Sequence, residues 1–376
     1  MKHYLTGGTI LTAKGALCDT GVLVENGRIL DLTPIKPSDA EAYDLQGQTL
    51  SPTFIELHAH GGAGFEFVDG CEESVRGAAA LHAAHGTGVL YPTISASDYE
   101  TTYRALEVLE KLRDDLPLTV PGVHLEGPYL SPEMCGAQDP GIIRKPDPGE
   151  YRALWERFGD LIARWDYAPE EDEGEAFLDF LLEKGILPAT AHSAAKYSHL
   201  YPAYEKGNRL VTHLYSCTST VTREGGFRKL GVIETTFLLP EMVAEVIGDG
   251  CHLPPELLRM IYSIKGAEHL CLISDAIRYA GLGDKGDAWE GTIPYVIEDG
   301  VAKLADRSAF AGSIATSDQL LQRSVKAGIP LSDTVKMMTG TPARVMGLSH
   351  YGDIAPGKAS RFNLIGEDLS VTPLSF

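Results

Sequence analysis

The sequence lacks long apolar runs and any excess of positive charge. No stretch of about 18 apolar residues occurs, so we expect no membrane-spanning helix and no membrane partner. Acidic residues number 52 against 32 basic ones, and the formal net charge is −20. Such a field repels the phosphate backbone of nucleic acids and the surface of anionic membranes. The expected partners are therefore small molecules, and these include anions wherever a local group of Arg and Lys inverts the field.

The chain also has few cysteines, and no two of them form a C-x-x-C pair. The amino-terminal residues MKHYLTGGTILTAKG lack the basic start and the apolar block of a secretory signal. We therefore expect reduced thiols and a cytoplasmic protein.

Turn signals divide the chain into a long central region and two short ends. Residues 4–32 alternate short apolar runs with turns, and Asn26-Gly27 predicts a β-hairpin. Short strand-like pieces return after Gly347. We expect the two ends to form one small β-sandwich domain beside a central barrel. The predicted bounds of its first part, its second part and the barrel are 1–51, 348–376 and 52–347.

The central region alternates strand candidates with helical stretches. Strands that alternate with helices predict a parallel sheet, and eight such units in about 300 residues predict a closed (β/α)8 barrel of the TIM type, so the fold class is α/β. The strand candidates are PTFIELHAH, GVLYPTIS, LTVPGVHLE, IARWDYAPE, GILPATAH, RLVTHLY, MVAEVIGDG and HLCLISDA. The intervening helices include EESVRGAAALHAAH, DYETTYRALEVLEKLRDD, DEGEAFLDFLLEKG and PPELLRMIYSIK. Asp98 and Asp172 are predicted N-caps, and Gly185 is a predicted C-cap.

Polar residues typical of metal sites fall at the predicted ends of these strands. Function in such a barrel is found at the C-terminal face of the strands. His58 and His60 lie two residues apart on the first strand, so both imidazoles point to one side. The remaining members of this set follow the third, fifth, sixth, seventh and eighth strands, and they are Glu126, His192, His213, Asp249 with His252, and Asp275.

Each of these residues alone also has a purely structural explanation. A single His at a strand end is more often hydrogen-bonded in the core, and an Asp before a helix, such as Asp275, is more often an N-cap. Together, the four His and two carboxylates at the strand ends would be costly to bury without a partner. They are His58, His60, His192, His213, Glu126 and Asp275. A divalent metal satisfies all of them, and imidazole with carboxylate suits zinc, iron or a similar transition metal. A bound metal acidifies its water, and Asp275 is the candidate that passes the water's proton to a leaving nitrogen.

Six motifs resemble those of one known family. In order along the chain they are GVHLEGPYLSP, TAHS, VTHLY, GDGCHLPP, LISDAI and FAGS. They are similar to the N-acetylglucosamine-6-phosphate deacetylase family of the amidohydrolase superfamily, over about residues 50–347. The end segments, with NGRI and GDIAPGK, resemble the small β-domain of that superfamily. The resemblance implies a metal-dependent hydrolase that cleaves a linear amide C–N bond.

The resemblance also implies which residues hold the metal. Glu126, His192 and His213 match the residues that hold the main metal. His58 and His60 match the H-x-H of those members that bind a second metal, with Glu126 as the bridging ligand. One or two divalent metals per subunit are therefore expected, with zinc as the first choice and iron, manganese or cobalt as alternatives.

Further residues match the catalytic and substrate positions of the family. Asp275 matches the Asp that transfers the proton, and His252 and Arg223 match residues that hold the substrate phosphate. In this family that Arg can reach across from a second subunit, which implies a homodimer. The positions that line the sugar site are Ala137, Ser216, Cys217, Asp249, Ala311 and Gly312.

Three departures from the family pattern fall in the substrate pocket. Gln138 stands where the family usually has a His that helps to polarise the acetyl carbonyl, and an amide can donate a hydrogen bond but cannot carry charge. Ser216-Cys217 replaces the usual Asn-Ala. The stretch TREGGFRKLG is longer than the family's turn and adds two basic residues near Arg223. These changes spare the metal set and leave the choice of substrate open.

Three functions compete at this point. The first is deacetylation of an N-acetylated amino-sugar 6-phosphate, N-acetylglucosamine-6-phosphate foremost, to acetate and the amino-sugar phosphate. The second is a related amidohydrolase with a different N-acyl substrate, such as N-acetylgalactosamine-6-phosphate or an N-acyl amino acid. The third is a metal-free barrel that serves as a binding or scaffold protein, and such a barrel would be expected to have lost metal ligands.

Overall fold

The centre of the fold is an eight-stranded parallel sheet that closes on itself. The structure is a computed structural model, which describes residues 1–283 and 294–376 and, between them, the backbone of Gly286–Trp289. Numbered along the chain, the strands of this sheet are β8 (Phe54–Ala59), β11 (Thr87–Ser95), β12 (Val123–Glu126), β13 (Ile162–Tyr167), β14 (Leu187–Thr190), β15 (Leu210–Val211), β18 (Val243–Ile247) and β19 (Leu270–Ile273).

Each strand of this sheet pairs in parallel with its neighbours in chain order. The ring closes where Ala59 pairs in parallel with Ala276, just beyond β19. Beside that bridge, the Asp275 amide donates to the His58 carbonyl at 2.9 Å. All eight predicted strands are therefore present, and the predicted barrel is confirmed.

Helices surround the barrel. They are α1 (Glu72–Ala84), α2 (Tyr99–Leu112), α3 (Pro148–Phe158), α4 (Ala176–Lys184), α5 (Tyr197–Lys206), α6 (Val232–Leu238), α7 (Pro255–Lys265), α8 (Ser317–Lys326), α9 (Leu331–Met338) and α10 (Gly340–Val345). The four predicted helical stretches correspond to α1, α2, α4 and α7. Among the described residues, none of these helices combines the length and the apolar character needed to cross a bilayer.

The predicted caps lie where the helices begin and end. The Asp98 side chain accepts a hydrogen bond from the Thr101 amide at 2.8 Å and starts α2. Gly185 ends α4 with a left-handed φ of 71°, a conformation that glycine adopts without strain. Asp172 accepts hydrogen bonds from amides in the first turn of α4, although Glu175 occupies the N-cap position itself.

Apolar side chains fix the helices on the barrel. Leu106 and Leu109 of α2 are fully buried, as are Phe177 and Leu181 of α4. Their spacing of three or four residues places each pair on one helix face. Burial of each such side chain contributes about 1.5–3 kcal/mol, so the barrel is a rigid frame for the strand ends.

The two chain ends build the small domain. A four-stranded sheet contains β1 (Lys2–Thr6), β4 (Gly21–Glu25), β5 (Arg28–Thr33) and β6 (Ala40–Asp44). A five-stranded sheet contains β2 (Thr9–Thr12), β3 (Gly15–Leu17), β7 (Thr49–Pro52), β23 (Arg361–Ile365) and β24 (Val371–Ser375). Leu5 and Val24 of the first sheet share one buried cluster with Ile10, Leu50 and Phe362 of the second.

The sandwich built from both termini is therefore confirmed, and the bounds 1–51, 52–347 and 348–376 stay predictions.

Asn26 and Gly27 have φ of 51° and 75° and connect β4 to β5. This is the left-handed turn that the Asn-Gly pair predicts for a hairpin.

Short strands outside these sheets were not predicted. They are β9 (Gly61–Gly62), β10 (Phe65–Glu66), β16 (Thr222–Glu224), β17 (Phe227–Lys229), β20 (Gly286–Trp289), β21 (Tyr295–Glu298) and β22 (Val301–Leu304). The hairpin of β16 and β17 is formed by the stretch TREGGFRKLG, and all six of its strand residues are exposed.

Candidate metal centre and active site

Six predicted side chains converge at the C-terminal mouth of the barrel. They follow β8, β12, β14, β15 and β19 or lie at the strand ends. Because the strands of a closed parallel barrel all end on one face, these side chains meet there. All six residues are at most 8% exposed, and they are His58, His60, Glu126, His192, His213 and Asp275.

The backbone turns sharply at three of these positions. His192, His213 and Asp275 have φ of 42°, 29° and 50°, in the left-handed region that side chains other than glycine rarely adopt. Each such residue costs about 1–3 kcal/mol, and strain of this kind is concentrated at functional sites. The turn directs the side chain to the barrel mouth immediately after its strand.

Glu126 is the centre of the first group of potential ligands. Its Oε1 lies 2.9 Å from His213 Nε2 and 3.2 Å from His192 Nε2. The other ring nitrogen of His192 lies 2.9 Å from the carbonyl oxygen of Met134. That carbonyl can only accept, so Nδ1 carries a proton, and Nε2, on the side of Glu126, is the nitrogen available to a metal. One carboxylate oxygen with two such imidazoles fits a divalent transition metal.

His58 and His60 form the second group with the same carboxylate. Their Nε2 atoms lie 3.3 Å apart, and they approach Glu126 Oε1 and Oε2 at 3.5 Å and 3.4 Å respectively. Two imidazole nitrogens this close must share a proton or a cation. The buried Nδ1 of His60 has no hydrogen-bond partner within the described part of the chain. This group also fits a metal ion, with Glu126 able to bridge the two positions.

The electrostatics of the cluster also favour a cation. Burial opposes the charge on Glu126, yet the surrounding imidazoles outweigh burial and hold its pKa well below the usual range. Burial likewise raises the pKa of Asp275, but His58 and His60 outweigh it, and the pKa is lowered. Burial lowers the pKa of His60, but Asp275 and Glu126 raise it to about 9. Ionised carboxylates therefore stabilise positive charge at the barrel mouth.

A cavity of about 670 Å³ opens above this cluster. The predicted substrate residues that line it are Ala137, Gln138, Ser216, Cys217, His252, Ala311 and Gly312. Gln138 Nε2 donates to Glu126 Oε2 at 2.6 Å, so the residue that replaces the family's His contacts the central carboxylate directly. A ligand in the cavity would contact the potential metal ligands and these residues at once.

Two predicted substrate residues lie outside the lining of this cavity, as far as the chain is described. Asp249 is buried behind His252, and its Oδ2 lies 2.7 Å from His252 Nδ1. Arg223 lies on the exposed hairpin of β16 and β17, opposite Arg228. The single chain therefore brings His252 to the cavity and leaves Arg223 at the surface.

The structure also places charged residues that the sequence analysis missed. Arg278 lines the cavity, and its Nη2 lies 3.0 Å from Asp69 and 3.2 Å from Glu66, which line it too. Arg164 and Glu245 are fully buried inside the barrel, below the six converging side chains His58, His60, Glu126, His192, His213 and Asp275, which we call the metal-type cluster. The available signal was the presence of charged residues inside buried strands, Arg164 and Asp166 in IARWDY and Glu245 in VAEVI.

Comparison with known proteins defines the class. The model of the amidohydrolase family matches residues 49–374. This chain therefore belongs to the amidohydrolase family, and its ancestry is that of an enzyme that hydrolyses amide-type bonds. This match does not support the third hypothesis, a metal-free barrel that serves as a binding or scaffold protein.

Particular relatives then narrow the class. N-acetylglucosamine-6-phosphate deacetylase of Lysinibacillus sphaericus is 28% identical over 367 residues, which cover 96% of this chain and 93% of that protein. N-acetylgalactosamine-6-phosphate deacetylase of Escherichia coli O157:H7 is 27% identical over 376 residues, which cover 99% of this chain and 97% of that protein. The predicted family resemblance is confirmed, and both sugar types occur among the relatives.

Solved structures agree with these relatives. A mutant N-acetyl-D-glucosamine-6-phosphate deacetylase of Mycobacterium smegmatis, in complex with N-acetyl-D-glucosamine-6-phosphate, superposes with a TM-score of 0.90 at 29% identity, over 100% of this chain and 98% of that one. N-acetylglucosamine-6-phosphate deacetylase of Pasteurella multocida superposes with a TM-score of 0.91 at 27% identity, over 99% and 97% of the chains.

Proposed function

We propose that this amidohydrolase removes the acetyl group from an N-acetylated amino-sugar 6-phosphate and releases acetate and the amino-sugar phosphate. The observation that carries the proposal is the meeting of Glu126, His192, His213 and Asp275 at the floor of one cavity. The relatives support the substrate class, because both named deacetylases act on N-acetylated amino-sugar phosphates. They do not favour an N-acyl amino acid.

Glu126, His192 and His213 would hold the main divalent metal, and His58 and His60 would complete a second position. A bound metal supplies Lewis acidity that activates water and polarises a carbonyl. Zinc is the first choice for these ligands, and iron, manganese and cobalt suit the same imidazole and carboxylate donors.

Asp275 is proposed as the catalytic base and acid. Its ionised carboxylate lies 3.2 Å from His60 Nε2, at the floor of the cavity where the acetyl group would bind. It takes a proton from the attacking water as the water oxygen bonds to the acetyl carbon. It then delivers that proton to the sugar nitrogen as the C–N bond breaks, so acetate and an amine leave.

The remaining cavity residues would bind the sugar phosphate. His252, which Asp249 holds by a hydrogen bond, is proposed to contact the phosphate. Gln138 is proposed to donate a hydrogen bond to the acetyl carbonyl, with the amide hydrogen that does not face Glu126. Arg223 is proposed to act on the phosphate bound in a second subunit of a homodimer. Its exposed position on the β16–β17 hairpin supports an action outside its own barrel.

N-acetylglucosamine-6-phosphate is the first candidate, and N-acetylgalactosamine-6-phosphate is the second because a relative of each type matches over nearly the whole chain. A cytoplasmic location stays a proposal. It is supported by the six cysteines, which are all free thiols.

The test is acetate release by zinc-loaded protein from both phosphosugars and from their unphosphorylated forms. We expect one phosphosugar to be hydrolysed far faster than its unphosphorylated form. We expect Arg223→Ala to raise KM for the phosphosugar, while Arg28→Ala, at an exposed position on β5 of the small domain, serves as the control and should leave KM unchanged. Equal turnover with and without the phosphate would contradict the proposed substrate class.

A further inference from the structure

A layer of charged and polar side chains crosses the barrel interior directly below the metal-type cluster. Interiors of such barrels are usually filled by branched apolar residues, so a buried ionic layer is costly and calls for a specific role. The members are at most 2% exposed, and they are Glu56, His58, His124, Arg164, Asp166, Thr212 and Glu245.

Arg164 is the centre of the layer. Its Nε donates to Asp166 Oδ1 at 3.0 Å, and its Nη2 donates to Glu245 Oε2 at 3.0 Å and to Thr212 Oγ1 at 2.7 Å. Its Nη1 donates to the other oxygen of Glu245. The guanidinium therefore fixes both carboxylates, and the planar fork sets their orientation.

Each of the two carboxylates also faces one imidazole. Asp166 Oδ1 lies 2.9 Å from His124 Nε2, and Glu245 Oε2 lies 3.4 Å from His58 Nδ1. The two imidazoles differ in what lies on their far side. His124 Nδ1 contacts the hydroxyl of Thr93 at 3.0 Å, whereas His58 Nε2 faces His60 and Glu126 at the potential metal position.

We propose that Glu245 is a positioning residue for His58. A carboxylate can only accept, so Glu245 keeps the proton of His58 on Nδ1 and leaves the lone pair of Nε2 for a metal held with His60 and Glu126. Arg164 holds Glu245 in place and has no direct contact with the metal position. This inference rests on the proposed function, because it assumes that the cluster binds metal.

The variant Glu245→Gln tests this role with little change in volume. Both oxygens of Glu245 accept from Arg164, so a glutamine keeps only one of these bonds. With its oxygen at the position of Oε1 it accepts from Arg164 Nη1, and its NH2 group then faces His58 Nδ1. An N–H donor there forces the proton of His58 onto Nε2, where it blocks coordination. The matched control is Asp166→Asn, which perturbs the same guanidinium at the same depth but faces His124, which is not a metal ligand.

The measurement is zinc stoichiometry and affinity by competition with a chromophoric chelator, on wild-type and variant proteins. We expect wild type to bind two metals. We expect Glu245→Gln to weaken the second metal by about 10–100-fold with the first unchanged, which is the size of effect that outer-shell partners produce. Asp166→Asn should keep both affinities. If Glu245→Gln does not fold, Glu245→Asp replaces it, because the shorter side chain withdraws the carboxylate from His58. Asp166→Glu is then the control.

Three outcomes would overturn the proposal. The first is a Glu245 variant with wild-type affinity for both metals, and the second is an equal loss in the Asp166 control, which would make the layer purely structural. The third is a wild type that binds one metal alone, through Glu126, His192 and His213, and this outcome would leave the proposed hydrolase intact. A wild type without any metal would contradict the proposed function as well.

Discussion

At the scale of single residues, Asp275 is the proposed catalytic base and acid. Its carboxylate contacts His58 and His60 at 3.4 Å and 3.2 Å, and these contacts lower its pKa against the effect of burial. An ionised carboxylate at neutral pH is the form that can accept a proton from water.

Asp275→Asn should therefore lower kcat for acetate release by about 10²–10⁴-fold, because an amide cannot accept the proton. We expect KM and zinc content to change little, since the proposed main ligands Glu126, His192 and His213 are untouched. Acetate release and metal analysis on the same preparation check both points. A variant with wild-type kcat would assign proton transfer to another group.

The convergence of the six side chains at the barrel mouth could be predicted from the sequence because each stands at or near the end of a strand candidate. Arg223 shows the limit of that reasoning. A motif match gives its position in the chain, but the structure leaves it exposed on a hairpin and outside the lining of the cavity. Arg164 and Glu245 were missed because their ion pair joins strands 81 residues apart.

At the scale of elements, the predicted strands are longer than the observed ones for a physical reason. The candidates that contain His192, His213 and Asp275 run to residues 192, 215 and 276, whereas β14, β15 and β19 each end two residues before the named side chain. The left-handed φ at each of these residues breaks the pairing just where the side chain must leave the sheet. In the third candidate, LTVPGVHLE, the Pro-Gly step leaves an isolated bridge at Thr119 before β12 begins.

Helix α1 is tied to the chain next to the metal-type cluster by His82. Its Nε2 lies 3.0 Å from the carbonyl oxygen of Gly61, the neighbour of His60, and the ring is fully buried. Burial lowers the pKa of His82 from 6.5 to about 4. The imidazole is therefore neutral and donates from Nε2 throughout the neutral range.

This lowered pKa predicts a pH-dependent contribution to stability. The unfolded chain binds a proton at His82 below about pH 6.5 while the folded chain does not, so the contribution is present above pH 6.5 and is lost as the pH falls towards 4. Between about pH 7.5 and about pH 5 we expect wild type to lose about 2 kcal/mol relative to His82→Gln, which does not titrate. Denaturant unfolding of both proteins at the two pH values measures this difference, and a difference that does not change with pH would contradict the prediction.

At the scale of the whole molecule, the barrel and the terminal sandwich could be predicted because strand and helix patterns alternate so regularly. Turn chemistry such as Asn26-Gly27 adds the hairpins of the small domain. The sheet of β20, β21 and β22 and the exposed β16–β17 hairpin were not predicted, because their strands are short and carry no strong periodicity. The fold could therefore be predicted from sequence patterns. The charged layer inside the barrel could not, because it depends on contacts between strands that are distant in the sequence.

The proposed hydrolysis depends on a metal at the barrel mouth, so its most direct test is removal and restoration of that metal. Acetate release from N-acetylglucosamine-6-phosphate would be measured on protein as purified, after a chelator has stripped it, and after zinc is added back. We predict that activity falls to background in the stripped protein and returns with added zinc. Undiminished turnover by protein that elemental analysis shows to be metal-free would contradict the proposed role of Glu126, His192 and His213.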